Sequence, residues 1–126
     1  MLFISFLLAA CDSSAEFSFH EIQSVPDKVQ DAIDNEHRLQ IVYEGDQTAY
    51  ISFMSKGDVT ADYELEDNVL TIKFEEEKQS DEEKRYVYKL TRGEATYDTI
   101  YVLVNGESVP FNLVTGIKTA SLKGGN

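Results

Sequence analysis

Apolar positions change their spacing along this chain, and each change marks a different kind of segment. The first ten residues, Met1-Leu-Phe-Ile-Ser-Phe-Leu-Leu-Ala-Ala10, are almost wholly apolar and give way at once to Cys11-Asp-Ser-Ser-Ala-Glu16. From Ser24 to about His37, Val25, Val29, Ala32 and Ile33 recur at spacings of three and four. That spacing predicts an amphipathic helix, with Asp27, Lys28, Asp31, Asp34 and Glu36 left for water. Ser24-Val-Pro-Asp27 suits its start: a hydroxyl can accept an orphan N–H, proline is tolerated in the first turn, and an acid favours the positive end.

Beyond His37 the period becomes two. Leu39 to Glu44 and Thr48 to Met54 read as a hairpin around Glu44-Gly-Asp-Gln47. Val59, Ala61, Tyr63 and Leu65 alternate with Thr60, Asp62 and Glu64, and Leu70, Ile72 and Phe74 alternate with Thr71, Lys73 and Glu75. Such alternation places one face on a core and the other in water. Glu75 to Lys84 holds six carboxylates and no apolar residue, so it reads as a solvated loop. Arg85 to Thr91 and Thr99 to Asn105 are further strands, and Asn105-Gly106 is a hairpin turn that returns Val109 to Leu113 beside the second of them.

The expected fold is α+β, with one N-terminal helix packed on an antiparallel sheet of five to seven strands. A small β-barrel or sandwich with a helix is the alternative. Residues 1–10 are expected to be a signal-peptide remnant and 11–18 a flexible tether. Residues 19–126 then form a single domain whose C-terminus, ending in Lys-Gly-Gly-Asn, frays.

Charge and composition narrow the function. Among 126 residues, 11 Lys and Arg stand against 23 Asp and Glu, a net charge of −12. That surplus repels a phosphate backbone and argues against nucleic acid as a partner. A hydrophobic content of 42% is enough for a core.

A helix of ten residues reaches about 15 Å, half of a hydrocarbon layer about 30 Å thick, so residues 1–10 cannot span a membrane. An apolar run ending in small residues has the form of an export leader. Leu8-Ala9-Ala10-Cys11 resembles the lipobox of bacterial lipoproteins, although no Lys or Arg precedes Lys28. The resemblance implies that Cys11 carries a lipid and holds the chain to the extracytoplasmic face of a membrane, two acyl chains being what durable anchoring needs. A single cysteine allows no internal disulfide.

Catalytic and cofactor chemistry find little footing. One thiol with His20 and His37 cannot supply the four ligands of structural zinc, and no cofactor is expected. Glu75 to Glu83 lacks the spacing and central glycine of a calcium loop, and Gly57, Gly93 and Gly106 belong to no phosphate-binding motif. Asp62, Glu64 and Glu75 invite an acid–base reading, but their outward strand positions make them a solvated face.

The tyrosines offer more. Tyr50, Tyr63, Tyr86, Tyr88 and Tyr101 fall in predicted strands and are candidates for partner binding, since tyrosine combines large area with a polar tip; the competing reading is that they fill the core. Tyr50 to Leu65 is similar to the strand–turn–strand signature of PrcB-like domains, with Ala61-Asp62 where those domains tend to have glycines, and Val109-Pro110-Phe111 resembles their closing segment. Such domains are regarded as non-catalytic partners of a surface protease complex. The expectation is a lipid-anchored extracytoplasmic binding or accessory module that recognises a protein, peptide or envelope component. The alternative is a small exported hydrolase using carboxylates.

Overall fold

A computed structural model of the chain describes residues 17–117. The expectations for residues 1–10, for Cys11, for most of the tether and for the frayed end lie outside the described residues. In chain order the elements are β1 (Ser18–Ile22), α1 (Asp27–Ala32), β2 (Leu39–Glu44), β3 (Thr48–Ser55), β4 (Asp58–Glu66) and β5 (Val69–Glu77). They continue with β6 (Lys84–Thr91), β7 (Thr99–Val104), β8 (Glu107–Ser108) and β9 (Leu113–Ile117).

The described residues are mostly strand, in two mixed sheets: one of five strands in the order β1-β6-β3-β2-β9 and one of four in the order β4-β5-β7-β8. Their apolar faces meet in one core. Leu39, Ile41, Ile51, Phe53 and Leu90 of the larger sheet join Leu70, Ile72, Phe74, Val102 and Val104 of the smaller. The rings of Phe53 and Phe74 bridge the two layers, stacked at 4.6 Å with planes 6° apart.

The two sheets bury their strands differently. In the smaller one, Leu70, Ile72 and Phe74 are buried while Thr71 and Lys73 are only partly covered, as an antiparallel pair with one wet face requires. In the larger one, β2 and β3 are buried on both faces. Val42, Tyr50 and Val87 turn away from the main core and form a second cluster with Val29 of α1.

Three features correct the sequence reading. First, the main apolar face of the larger sheet is covered by the smaller sheet, and α1 contributes only to the lesser cluster. That helix ends at Ala32, where Ile33 is already extended (φ −80°, ψ 132°). Its continuation is taken over by Gln40, whose fully buried amide accepts from the Asp34 N–H at 3.0 Å and donates to the Asp34 and His37 carbonyls at 2.6 and 3.2 Å. A local helix gives way to a loop moulded on one side chain.

Second, the sheets are not wholly antiparallel. β2 pairs with β9, and β5 with β7, in parallel. Third, the described segment begins and ends in strands. β1 starts at Ser18, inside the expected tether, and pairs with β6. After the turn at Asn105 (φ 53°) and Gly106 (φ 87°), only Glu107 and Ser108 run back beside β7. Pro110 has no N–H to continue that ladder. Asn112 then carries the chain across to the other sheet: its N–H donates to the Leu39 carbonyl at 2.7 Å and its Oδ1 accepts from the Leu39 N–H at 3.0 Å. Among the described residues no helix is long and apolar enough to cross a membrane.

Candidate functional site

The five candidate tyrosines do not share one surface. Tyr50 and Tyr88 are 4% and 3% exposed, so the core-filling reading holds for both rings. Tyr50 lies in the lesser cluster, its hydroxyl 3.4 Å from Glu44 Oε1; burial first, then the Glu44 charge and hydrogen bond, pushes its pKa up. Tyr88 stacks on Phe19 at 5.3 Å, and burial raises its pKa further. Tyr86 is half-buried and donates to the Gly57 carbonyl at 2.8 Å, fixing the β3–β4 turn.

Tyr63 and Tyr101 are exposed, but on opposite faces of the smaller sheet. Tyr63 is paired with Ile72, which points inward, whereas Tyr101 is paired with Thr71, which points outward. Tyr63 packs on Phe17 at 4.9 Å and closes the gap between β1 and β4.

The opposite side of the sandwich is open. Parallel pairing of Ile41 with Val114 puts the β9 valine on the core side of its sheet, where it stands 62% exposed beside the half-covered Tyr43. Ile41, Tyr43, Tyr97, Ile100, Phe111 and Val114 line a groove of about 170 Å³ there. Arg92 and Asp98 supply its polar rim. The Arg92 guanidinium lies 4.2 Å from the Tyr97 ring centroid and donates to the Tyr97 carbonyl at 2.8 Å, so the Arg92 to Tyr97 turn is held by its own cation. Burial raises the Tyr97 pKa against the opposing charge of Arg92.

Among the described residues the edge strands, β1, β9, β4 and β8, differ in charge. His20 and Glu21 lie in β1, Asp58, Asp62, Glu64 and Glu66 in β4, and Glu107 in β8, while Leu113-Val-Thr-Gly-Ile117 in β9 has no ionisable side chain. Sequence reasoning missed this site because Val114 follows the last predicted strand. The pattern Leu113, Thr115, Ile117 was the available signal.

At one end of the sandwich sits a polar cluster. Glu76 follows Phe74 on the inward face of β5, and its side chain is only 9% exposed. Its Oε2 accepts from Ser55 Oγ at 2.6 Å and Arg38 Nη2 at 2.8 Å, and its Oε1 accepts from Asn105 Nδ2 at 3.0 Å. Burial alone raises the Glu76 pKa; the bonds from Ser55 and Arg38, the Arg38 charge and the Asn105 amide outweigh it and hold the carboxyl below its usual range. Both oxygens are engaged and the group is ionised, which suits a clamp between strands better than a proton donor.

Of the outward carboxylates Asp62, Glu64 and Glu75, Glu64 is held by a cation. Lys73 stands opposite Asp62 and donates to Glu64 at 2.8 Å. Among the described residues, no group of three or more His, Cys, Asp and Glu is arranged to hold a metal ion. Compared with known protein families, with curated proteins and with solved structures, the chain matches none.

Proposed function

We propose that this chain is a non-catalytic binding module, lipid-anchored through Cys11 on the extracytoplasmic face of a membrane, that receives an extended protein or peptide segment along β9. The observation that carries the reading is an uncharged edge strand, unpaired on its outer side among the described residues, beside an apolar groove. An extended segment adds to such an edge through main-chain hydrogen bonds, and adjacent pockets select its alternate side chains. Tyr43, Tyr97 and Phe111 provide that selection. Phe111 belongs to the segment resembling PrcB-like domains, which favours an accessory role beside an envelope protease.

The test is photo-crosslinking in native membranes, with a photoreactive residue replacing Val114 in one sample and Tyr101 in another. A discrete protein adduct from position 114 and none from 101 is expected. Equal labelling from both, or none from 114, overturns the edge as the recognition site. In the same membranes Cys11→Ser should move the protein to the soluble fraction, and full retention overturns the lipid anchor.

A further inference from the structure

Arg85 is a cation with no ion-pair partner among the described residues. It lies in β6 on the face of the larger sheet that turns away from the main core, opposite Met54 of β3. Its Nη1 donates to Ser52 Oγ and its Nη2 to Asn35 Oδ1 at 2.6 Å, both neutral acceptors. The ion pairs among the described residues join His37 to Asp34, Arg38 to Glu76 and Lys73 to Glu64, so no described carboxylate comes within ion-pair distance of Arg85. Glu83 and Asp34 act on it only from further away. A guanidinium has five N–H donors in a planar fork, and these two bonds leave donors over.

The space in front of that fork is shaped. Val25, Ile33 and Val87 form apolar walls and Gln30, Asn35 and Arg85 polar ones, around a pocket of about 310 Å³. This is the lower end of the roughly 300–1,000 Å³ typical of small-molecule sites. A part-buried guanidinium with donors left over can take an anion, and it pairs best with a carboxylate, through two parallel hydrogen bonds.

We propose that this pocket binds a small monocarboxylate with a short apolar body, its carboxylate on Arg85 and its body against Val25, Ile33 and Val87. A free short-chain acid and a peptide C-terminus ending in an apolar residue both present this chemistry. The net charge of −12 opposes any anion at long range, but at physiological salt that field decays over about 8 Å, so the local pairing decides. The pocket lies on the other face of the sheet from the β9 groove, and it stands or falls independently of that groove.

The test is NMR titration of the full-length chain at constant ionic strength, following the methyl groups of Val25, Ile33 and Val87. Butyrate should give saturable shifts there, and 1-butanol should bind at least about tenfold more weakly, because a charge-assisted hydrogen bond amounts to about a factor of ten or more. Arg85→Gln should weaken butyrate about tenfold. Ile33→Trp, which fills the pocket and keeps the guanidinium, should abolish the shifts even if Arg85→Gln fails to fold. The tripeptide Gly-Gly-Val, compared with its C-terminal amide, separates the two sources: tighter binding of the free acid than of both amide and butyrate assigns a peptide terminus, and tighter binding of butyrate assigns a small acid. Equal affinity for butyrate and 1-butanol, unchanged binding in Ile33→Trp, or the lack of saturable shifts overturns the proposal.

Discussion

Tyr88 and Glu76 lie at the inner layer of the sandwich and show opposite ways of burying a polar group. The Tyr88 hydroxyl is buried with no hydrogen-bond partner among the described residues, so it suffers desolvation without return. Tyr88→Phe keeps the ring stacked on Phe19 and removes only the orphan oxygen. Stability should stay constant or rise by up to about 1 kcal/mol in urea unfolding; a loss of similar size shows that the hydroxyl has an unrecognised partner. Glu76 is instead fully engaged. Glu76→Gln keeps the shape but loses the charge that Arg38 faces, at a cost of about 1–2 kcal/mol, reduced because Arg38 is half-exposed. The pH dependence follows from the direction of its shift. The folded-state pKa lies below the ordinary 4.5, so the native state resists protonation that the unfolded chain accepts. The Glu76 contribution is therefore complete above that ordinary value and is lost as pH falls through the lowered folded one. The stability gap between wild type and Glu76→Gln should be constant near neutral pH and close in acid, and a gap that widens there contradicts the clamp.

Elements with strict alternation were legible from sequence. Strand β4, and β5 as far as Glu75, were read directly because one face meets the core and the other water, and the pattern records both, whereas Glu76 and Glu77, read as a solvated loop, continue β5. Strands β1 and β9 were not legible, for a physical reason: each is a five-residue edge, β1 has no regular alternation, and the alternating burial of β9 is blurred in the sequence by its exposed apolar Val114 and specified by a partner far away in sequence. The helix was overextended because the spacing of Val25, Val29, Ala32 and Ile33 says nothing about Gln40, whose amide captures the backbone that a longer helix would have used. The candidate site was legible only in part, since pattern placed Tyr63 and Tyr88 equally in strands but could not say which face would be covered. The β3–β4 connection shows how tightly these elements meet. A Cβ added to Gly57 would lie 2.5 Å from the Glu77 carbonyl oxygen. That neighbour is backbone and must shift, so Gly57→Ala should destabilise by about 1–3 kcal/mol, read as a lowered melting temperature. An unchanged melting temperature would mean that the turn yields easily.

At the scale of the whole molecule, a sandwich has an association problem at every edge, because unpaired N–H and C=O groups recruit further strands. With a net charge of −12, general repulsion between copies is part of the protection, and charged side chains on β1, β4 and β8 add a local part. The β9 edge lacks that local part, so one inserted charge should convert it into a guarded edge. Val114→Lys places an ammonium on an already exposed position, where substitutions shift stability by only about 0.5 kcal/mol. Its chemical unfolding curve should therefore overlay the wild type, while membrane crosslinking from a photoreactive residue at nearby Tyr43 should fall at least about tenfold, the equivalent of about 1.4 kcal/mol in binding. Thr60→Lys, on the outer face of β4, is the control: it adds the same charge to an edge already guarded by Asp58 and Asp62, and it should leave the adduct intact. Equal loss in both variants would assign the effect to global charge rather than to the edge. Retention of the adduct in Val114→Lys would show that β9 is not where the partner joins the sheet.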